Sequence, residues 1–154
     1  MDIIIADDGV AELQFAQRVV SSYLLNPVHA VRNVNEALEA VFPPGEHEAR
    51  VPQLVVASLD LPPTSGIELV RSLRCDSRTA MVPVVLVARS NEECERYRSR
   101  PLPRTTCIAG PLDLAKLSDA LREIGMSWVL MDNPMTAPLP FVLPSRRPIV
   151  PAVV

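Results

Sequence analysis

Short apolar runs and longer amphipathic stretches alternate along the first 125 residues of the chain. The apolar runs have the length and composition of buried parallel strands, and they predict strands over residues 3–6, 28–31, 54–57, 84–88 and 106–109. The stretches between and after them carry apolar residues at helical spacing, which predicts helices over residues 10–25, 36–42, 67–74, 91–100 and 114–124. Five successive βα units predict an α/β fold with one parallel five-stranded sheet, doubly wound so that helices cover both faces.

Polar, proline and glycine residues mark the ends of these helices. Asn26-Pro27 ends the first helix because proline cannot continue it. We expect Asn35 to cap the second helix and Asp113 the last, since short polar side chains accept hydrogen bonds from the first free N–H groups of a helix. Gly125 suits the position just after the last helix.

The composition changes after Gly125. Residues 126–154 contain six prolines and almost no helical spacing, so we expect a proline-rich C-terminal tail that is extended in part. The tail is largely apolar, which favours docking on the domain or on a partner; disorder is the alternative that stays open. Its candidate partner-contact residues are Trp128, Phe141, Arg146 and Arg147.

Charge and cysteine content argue against several classes of function. The formal charge of −3 gives no electrostatic reason to expect binding to nucleic acid or to an anionic membrane. Three cysteines without CxxC spacing or a histidine cluster argue against a disulfide framework or a zinc site. The N-terminal residues do not have the pattern of a signal peptide, and no apolar stretch is long enough for a transmembrane helix. We therefore expect a cytoplasmic protein.

Polar residues follow the predicted strands at one edge of the sheet. In open parallel sheets, functional groups lie at the carboxyl ends of the strands. Asp7 and Asp8 follow the first strand, Ser58 follows the third, and Arg89 follows the fourth. Ser58, at the end of a central strand, therefore lies where such a sheet places its functional groups.

The order and spacing of several residues resemble those of response regulator receiver domains over roughly residues 1–125. The matching residues are the acidic pair Asp7-Asp8, Pro62 and Gly66 at offsets of four and eight from Ser58, Pro111 after the fifth strand, and Asp113 at the following helix. The resemblance implies the flavodoxin-like (βα)5 fold and a role in bacterial two-component signalling. It also implies a cis bond between Gly110 and Pro111, because an X-Pro bond adopts the cis form at little cost.

The same resemblance indicates where the chemistry of the family is missing. Ser58 replaces the phosphoacceptor aspartate, Ala88 the hydroxyl residue that ends the fourth strand, Gly110 the invariant lysine, and Cys107 a mobile aromatic residue. Serine is a weak nucleophile without a base, and glycine cannot neutralise an incoming phosphoryl oxygen. The resemblance therefore implies a pseudo-receiver with a degenerate phosphorylation site, which is not an enzyme.

The acidic residues around Ser58 are open to more than one interpretation. Asp7, Asp8 and Asp60 are expected to cluster, and clustered carboxylates raise one another's pKa unless a cation lies near them. That cation is either weakly bound Mg²⁺, although no cofactor is required, or Arg89, folded over one carboxylate and locking one conformation. Arg89 as a solvated surface residue and Asp60 as a shifted phosphoacceptor also stay open.

With the phosphoryl chemistry absent, function is expected to come from surfaces. In the family the usual partner face is formed by the fourth helix, the fifth strand and the fifth helix. Tyr97 on the fourth helix is expected to be exposed there. The resemblance assigns Cys107 to the same face, whereas its alternation with apolar neighbours predicts a buried position.

These observations favour a phosphorylation-independent protein–protein interaction module of bacterial signal transduction. Its partner is expected to be a regulatory or signalling protein, with a homodimer as an open alternative. The runner-up is a single-domain response regulator that accepts a phosphoryl group in a phosphorelay through unusual chemistry. A small flavodoxin-like enzyme ranks last, because the acidic first βα turn, Asp7-Asp8-Gly9, would repel phosphate.

Overall fold

Five parallel strands alternate with five helices in the computed structural model, which describes residues 2–125. The strands are β1 (Ile3–Ala6), β2 (Val28–Val31), β3 (Leu54–Ser58), β4 (Val84–Ala88) and β5 (Thr105–Ala109). The helices are α1 (Val10–Tyr23), α2 (Val34–Val41), α3 (Gly66–Arg74), α4 (Asn91–Arg98) and α5 (Leu114–Glu123).

The strands form one sheet in the order β2-β1-β3-β4-β5, and every neighbouring pair is parallel. This arrangement confirms the predicted flavodoxin-like, doubly wound fold. The chain winds in opposite directions from β1, so the crevice at the carboxyl ends of β1 and β3 is where a fold of this kind places its site.

Alternate residues of the buried strands face opposite sides of the sheet, as the two-residue repeat of a strand requires. On one side, Ile4, Val55 and Leu86 belong to a buried apolar cluster with α2, α3 and α4. On the other side, Ile3 and Val56 belong to a cluster with α1 and α5. Both faces of the sheet are therefore covered, which explains why the strands are almost uninterrupted apolar runs.

Several element ends differ from the predicted ones. Helix α2 begins at Val34 and is capped by Asn33, whose side chain accepts a hydrogen bond from the Glu36 N–H, so the prediction of Asn35 as the cap was wrong. Two asparagines two residues apart offer equally good caps, and apolar contacts of Val34 in the core select the earlier one. The Asp113 cap is confirmed by its hydrogen bond from the Lys116 N–H at 2.8 Å.

Helices α1 and α4 are shorter than predicted. Helix α1 ends at Tyr23 instead of residue 25, and α4 ends at Arg98 instead of residue 100. Strands β3 and β5 are each one residue longer than predicted, reaching Ser58 and beginning at Thr105. The predicted partner-contact residues Trp128, Phe141, Arg146 and Arg147 lie outside the described residues. Among residues 2–125, no helix combines the length and apolar character needed to cross a membrane.

Candidate functional site

The carboxyl edge of the sheet brings the predicted site residues together. The register aligns the strand ends, and the neighbouring residues are Ala6 with Ala57, Ser58 with Val87, and Ala88 with Ala109. The residues that end or follow these strands therefore meet at one edge, as the parallel topology requires. These residues are Asp7, Ser58, Arg89 and Gly110.

Ser58 ends β3 in a tight loop. Its hydroxyl oxygen accepts a hydrogen bond from the Asp60 N–H at 3.3 Å, and its carbonyl oxygen accepts one from the Leu61 N–H at 3.3 Å. A Cβ atom on Gly66 would lie only 2.3 Å from that carbonyl oxygen, so this position requires glycine. In the described structure, the hydrogen-bond partner of the Ser58 hydroxyl is a backbone N–H and not a histidine or carboxylate side chain.

Arg89 forms an ion pair with Asp60 across the carboxyl edge. The guanidinium Nε lies 3.0 Å from the Asp60 Oδ2, and the backbone N–H of Arg89 donates to the Glu93 Oε1 at 2.9 Å. The two side chains remain 77% and 38% exposed. The sequence leaves two roles open for Arg89: a solvated surface residue, or a cation folded over an acidic residue beside Ser58. The contact with Asp60 matches the second role. Asp60 itself lies in the loop after β3, beyond the strand end.

Asp7 is half-buried at the end of β1. Its Oδ1 accepts a hydrogen bond from the Gly9 N–H at 2.9 Å. Burial raises the pKa of Asp7 above the usual aspartate value, and the charges of Asp8 and Glu12 raise it further, whereas the Gly9 hydrogen bond and Arg89 lower it. The pKa of Asp7 is therefore raised mainly by burial, with the charges of Asp8 and Glu12 as smaller causes.

The carboxylates at this edge do not fit a Mg²⁺ site as they are placed. Within residues 2–125, no three histidine, cysteine, aspartate or glutamate side chains lie close enough together to hold a metal ion. The Asp60 carboxylate is bound to Arg89, and one oxygen of Asp7 is bound to the Gly9 N–H. A hard cation needs several oxygen ligands around one point, and these side chains do not provide them in this arrangement.

Gly110 occupies a crowded position after β5. Its N–H donates to the Ala88 carbonyl oxygen at 2.7 Å, and an added Cβ would lie 3.1 Å from the Val87 Cγ1 and 3.3 Å from the same carbonyl. The Gly110-Pro111 bond is cis, as the resemblance implies. The ends of β4 and β5 therefore lie close together at Ala88 and Gly110, the positions at which the resemblance implies a missing hydroxyl residue and a missing lysine.

Lys116 is a cation near this loop that the sequence motifs did not single out. Its Nζ donates to the Ala109 carbonyl oxygen at 2.9 Å and to the Pro111 carbonyl oxygen at 3.2 Å. The side chain therefore fastens α5 to the loop after β5. A signal was present in the sequence, because Lys116 is the first basic residue after the Asp113 cap and lies within one helical turn of it.

Tyr97 is buried, so the prediction of an exposed aromatic contact residue was wrong. Only 5% of the residue is exposed, and its hydroxyl accepts a hydrogen bond from the Leu102 N–H at 2.9 Å and donates to the Thr105 carbonyl oxygen at 3.2 Å. Most residues of α4 are charged, and they flank a narrow buried stripe. Cys94 and Tyr97, three positions apart, face the sheet together.

Cys107 is also buried, so of its two predicted positions the core position is correct and exposure on the partner face is not. It is 1% exposed, and its Sγ lies 3.3 Å from the Sγ of Cys94, which is 2% exposed. Burial raises the pKa of the Cys107 thiol above its usual range, and the contact with Cys94 raises it further. No sequence pattern signals this proximity, because it depends on how α4 packs on β5.

Two curated bacterial signalling proteins are similar to this chain, although no protein-family model matches it. The chemotaxis protein CheV2 of Helicobacter pylori is 27% identical over 100 residues, which make up 65% of this chain and 31% of that protein. The phosphate regulon transcriptional regulatory protein PhoB of Pseudomonas aeruginosa is 31% identical over 80 residues, 49% of this chain and 35% of that protein. The chain thus spans about a third of the length of these curated relatives.

Among solved structures, the bacteriophytochrome response regulator AtBRR aligns with a TM-score of 0.74. The alignment has 23% sequence identity and covers 86% of this chain and 97% of that one. At this identity the likeness shows the fold. Together with the relatives and the motif positions, it confirms the resemblance that the sequence predicts. Residues 2–125 therefore have the fold of this solved response regulator, as the resemblance in the sequence implies.

Proposed function

We propose that this chain is a pseudo-receiver, a cytoplasmic protein–protein interaction module of two-component signalling that works without being phosphorylated. The observation that carries the proposal is the Arg89–Asp60 ion pair beside Ser58. A positive charge occupies the edge at which a receiver would accept a phosphoryl group, and it is already bound to a carboxylate of the same protein.

Three further features at this edge support the proposal. Ser58 offers a hydroxyl whose partner is a backbone N–H, so it lacks the base that would make it a nucleophile. Ala88 cannot make the hydrogen bond by which a hydroxyl residue would report a bound phosphoryl group. Gly110 supplies no charge to neutralise a phosphoryl oxygen, and its surroundings leave little space for a side chain.

Incubation with acetyl phosphate and Mg²⁺ tests the loss of phosphorylation. We expect the intact mass of the protein to stay unchanged. The matched variant, Ser58→Asp combined with Ala88→Thr and Gly110→Lys, restores the residues that the family resemblance names, and we expect it to gain the mass of one phosphoryl group. Circular dichroism of the variant verifies that the crowded position 110 tolerates lysine.

Each result has a distinct meaning. A phosphoryl adduct on the natural chain would overturn the proposal, and its loss in the Asp60→Asn variant would assign the acceptor to Asp60, as the phosphorelay alternative requires. An unmodified restored variant would show that the three replaced residues are not what prevents phosphorylation.

The interaction half of the proposal needs its own test. A partner is captured from native lysate by the tagged full chain, with acetyl phosphate and Mg²⁺ in one sample and a chelator in the other. We expect equal recovery in both samples, because the surface that binds does not depend on the phosphoryl state. Recovery that depends on acetyl phosphate would contradict a phosphorylation-independent module.

A further inference from the structure

Two buried thiols on different elements meet at the interface between α4 and β5. The Sγ atoms of Cys94 and Cys107 are 3.3 Å apart, and both residues are almost fully buried. A disulfide bond has an S–S distance of about 2.0 Å, so the sulfur atoms need to approach by roughly 1.3 Å to form one. Rotation of the two side chains and a small displacement of α4 can supply that movement.

We propose that Cys94 and Cys107 form an oxidisable pair, a covalent modification site at which an intramolecular disulfide fastens α4 to β5. The oxidant is of the peroxide class, a molecule small enough to enter when α4 moves. The proposal goes beyond the pseudo-receiver function and does not depend on it.

The reaction balances in two steps. The Cys94 thiol first loses its proton, and the thiolate attacks one oxygen of hydrogen peroxide, so that an S–O bond forms and the O–O bond breaks. The hydroxide that leaves takes up that proton, so a sulfenic acid and one water result. The Cys107 sulfur then attacks the sulfenic sulfur, so that the S–S bond forms, the S–O bond breaks, and the hydroxyl group leaves with a proton as a second water. Two thiols lose two electrons in total, and one peroxide is reduced to two waters.

The structure favours Cys94 as the first thiol to react. Cys94 lies on α4, a short helix of eight residues with only Cys94 and Tyr97 buried, whereas Cys107 lies on a strand within the sheet. Burial raises the pKa of the Cys107 thiol. Among the charged side chains that act on the Cys107 thiol, Arg98 lowers its pKa and Glu93 raises it.

The contacts around α4 keep the two sulfurs close. The Tyr97 hydroxyl is bound to the Leu102 N–H and the Thr105 carbonyl oxygen, and the Arg98 guanidinium donates to the Cys107 carbonyl oxygen at 3.1 Å. A disulfide would add to these reversible contacts a covalent closure of the segment 94–107. Oxidation would therefore hold α4 on the sheet and prevent the movement that exposes the thiols.

Cys75 provides the means of isolating the pair. It is exposed and follows α3, so it is the cysteine of the described chain that is open to bonds between molecules. The full-length Cys75→Ser variant leaves only the buried pair. The Cys75→Ser, Cys94→Ala variant, in which alanine avoids placing a polar hydroxyl in the apolar core, is the matched control.

The test is oxidation by hydrogen peroxide followed by alkylation in denaturant and intact-mass measurement. We expect the Cys75→Ser protein to lose two hydrogens, to resist alkylation at both remaining cysteines, and to recover both thiols after dithiothreitol. Trypsin digestion of the oxidised protein, without dithiothreitol, should yield peptides 90–96 and 105–116 joined by a disulfide. The oxidised protein should also show slower amide exchange in α4 than the reduced protein, with exchange in α5 unchanged.

The same protein oxidised in urea shows that the pair can form a disulfide once it is accessible. If the folded protein keeps both thiols while the urea-treated protein forms the disulfide, the proposal is overturned. It is equally overturned if Cys94 gains oxygen atoms while Cys107 stays reduced, because the second thiol then does not reach the first. The Cys75→Ser, Cys94→Ala control, exposed to peroxide while folded, should retain one thiol that is alkylated in denaturant.

Discussion

The Arg89 side chain changes the local charge at the carboxyl edge of the sheet, because it pairs with the Asp60 carboxylate. The ion pair is exposed, so it contributes little to stability, and pairs of this kind are worth about 0.2–1 kcal/mol. Its effect is electrostatic and local, because it neutralises a carboxylate beside Ser58. Asp7, which is half-buried at the same edge, has a raised pKa instead, since burial outweighs the attraction of Arg89.

Replacing Arg89 tests whether this cation keeps Mg²⁺ away. Arg89→Ala frees the Asp60 carboxylate, so we expect the affinity for Mg²⁺ to rise, measured by isothermal titration calorimetry. The free energy of unfolding should change by less than about 1 kcal/mol. The matched control is Arg71→Ala, which removes an arginine paired with Glu68 on α3. An affinity unchanged by Arg89→Ala would show that Arg89 does not keep Mg²⁺ away from this edge.

The raised pKa of Asp7 makes a prediction about stability and pH. A carboxyl group whose pKa is higher in the folded state than in the unfolded state is destabilising when ionised. Asp7→Asn removes that charge and keeps an oxygen that accepts from the Gly9 N–H. We expect the variant to be more stable than the natural chain at neutral pH.

The gain from Asp7→Asn should disappear on acidification. It is complete above the raised pKa of Asp7, falls through that pKa, and vanishes below the ordinary value of 3.8, where both states are protonated. Urea midpoints at several pH values measure this difference. A gain that persists at low pH would mean that the charge of Asp7 is not its cause.

Helix α4 is the element whose buried residues were predicted least well from the sequence. It has acidic residues in its first turn and basic residues in its last turn, a pattern typical of a solvated helix. Its two buried residues, Cys94 and Tyr97, instead join the apolar cluster below it. The element that the family resemblance assigns to partner binding therefore presents charged side chains outward and its aromatic residue inward.

Removing the Tyr97 hydroxyl should loosen α4 without disturbing the rest of the fold. Tyr97→Phe leaves the Leu102 N–H without its acceptor, and we expect a loss of about 1–2 kcal/mol in unfolding free energy. Amide exchange should accelerate in α4 and remain unchanged in α5. Ser99→Ala is the control, since it removes an exposed hydroxyl bound to the Arg96 carbonyl oxygen and should change stability by less than about 0.5 kcal/mol. Equal effects of the two variants would contradict the anchoring role of Tyr97.

Across the whole molecule, the features that could be predicted from the sequence are those that local patterns determine, such as strands and helix caps. The five strands were found because fully buried parallel strands are continuous apolar runs, and Asp113 was found because a capping side chain acts within three residues. The Cys94–Cys107 contact and the burial of Tyr97 could not be found in this way. They depend on how α4 lies against β5, and a helix with two apolar residues does not specify its orientation by pattern alone.

Ser58 and Arg89 lie between these two cases. Their placement at one edge follows from the parallel topology, so it could be predicted once the strands were known. The sequence could not predict which acidic residue Arg89 contacts, because the candidates Asp7, Asp8 and Asp60 all lie near that edge. Arg89 contacts Asp60 because of the conformation of the loop after β3, where the Ser58 hydroxyl oxygen accepts a hydrogen bond from the Asp60 N–H.

Both apolar clusters and all five strands lie within residues 2–125, so this part of the chain has the components of an independent folding unit. We expect a chain ending at Gly125 to unfold cooperatively in urea, with far-UV circular dichroism and Tyr23 and Tyr97 fluorescence changing together. Its urea dependence should be about 1–3 kcal/mol per molar, as for a small domain. A gradual loss of signal, or transitions that differ between the two probes, would mean that the clusters do not suffice. The difference in midpoint from the full chain then measures what residues 126–154 contribute to stability.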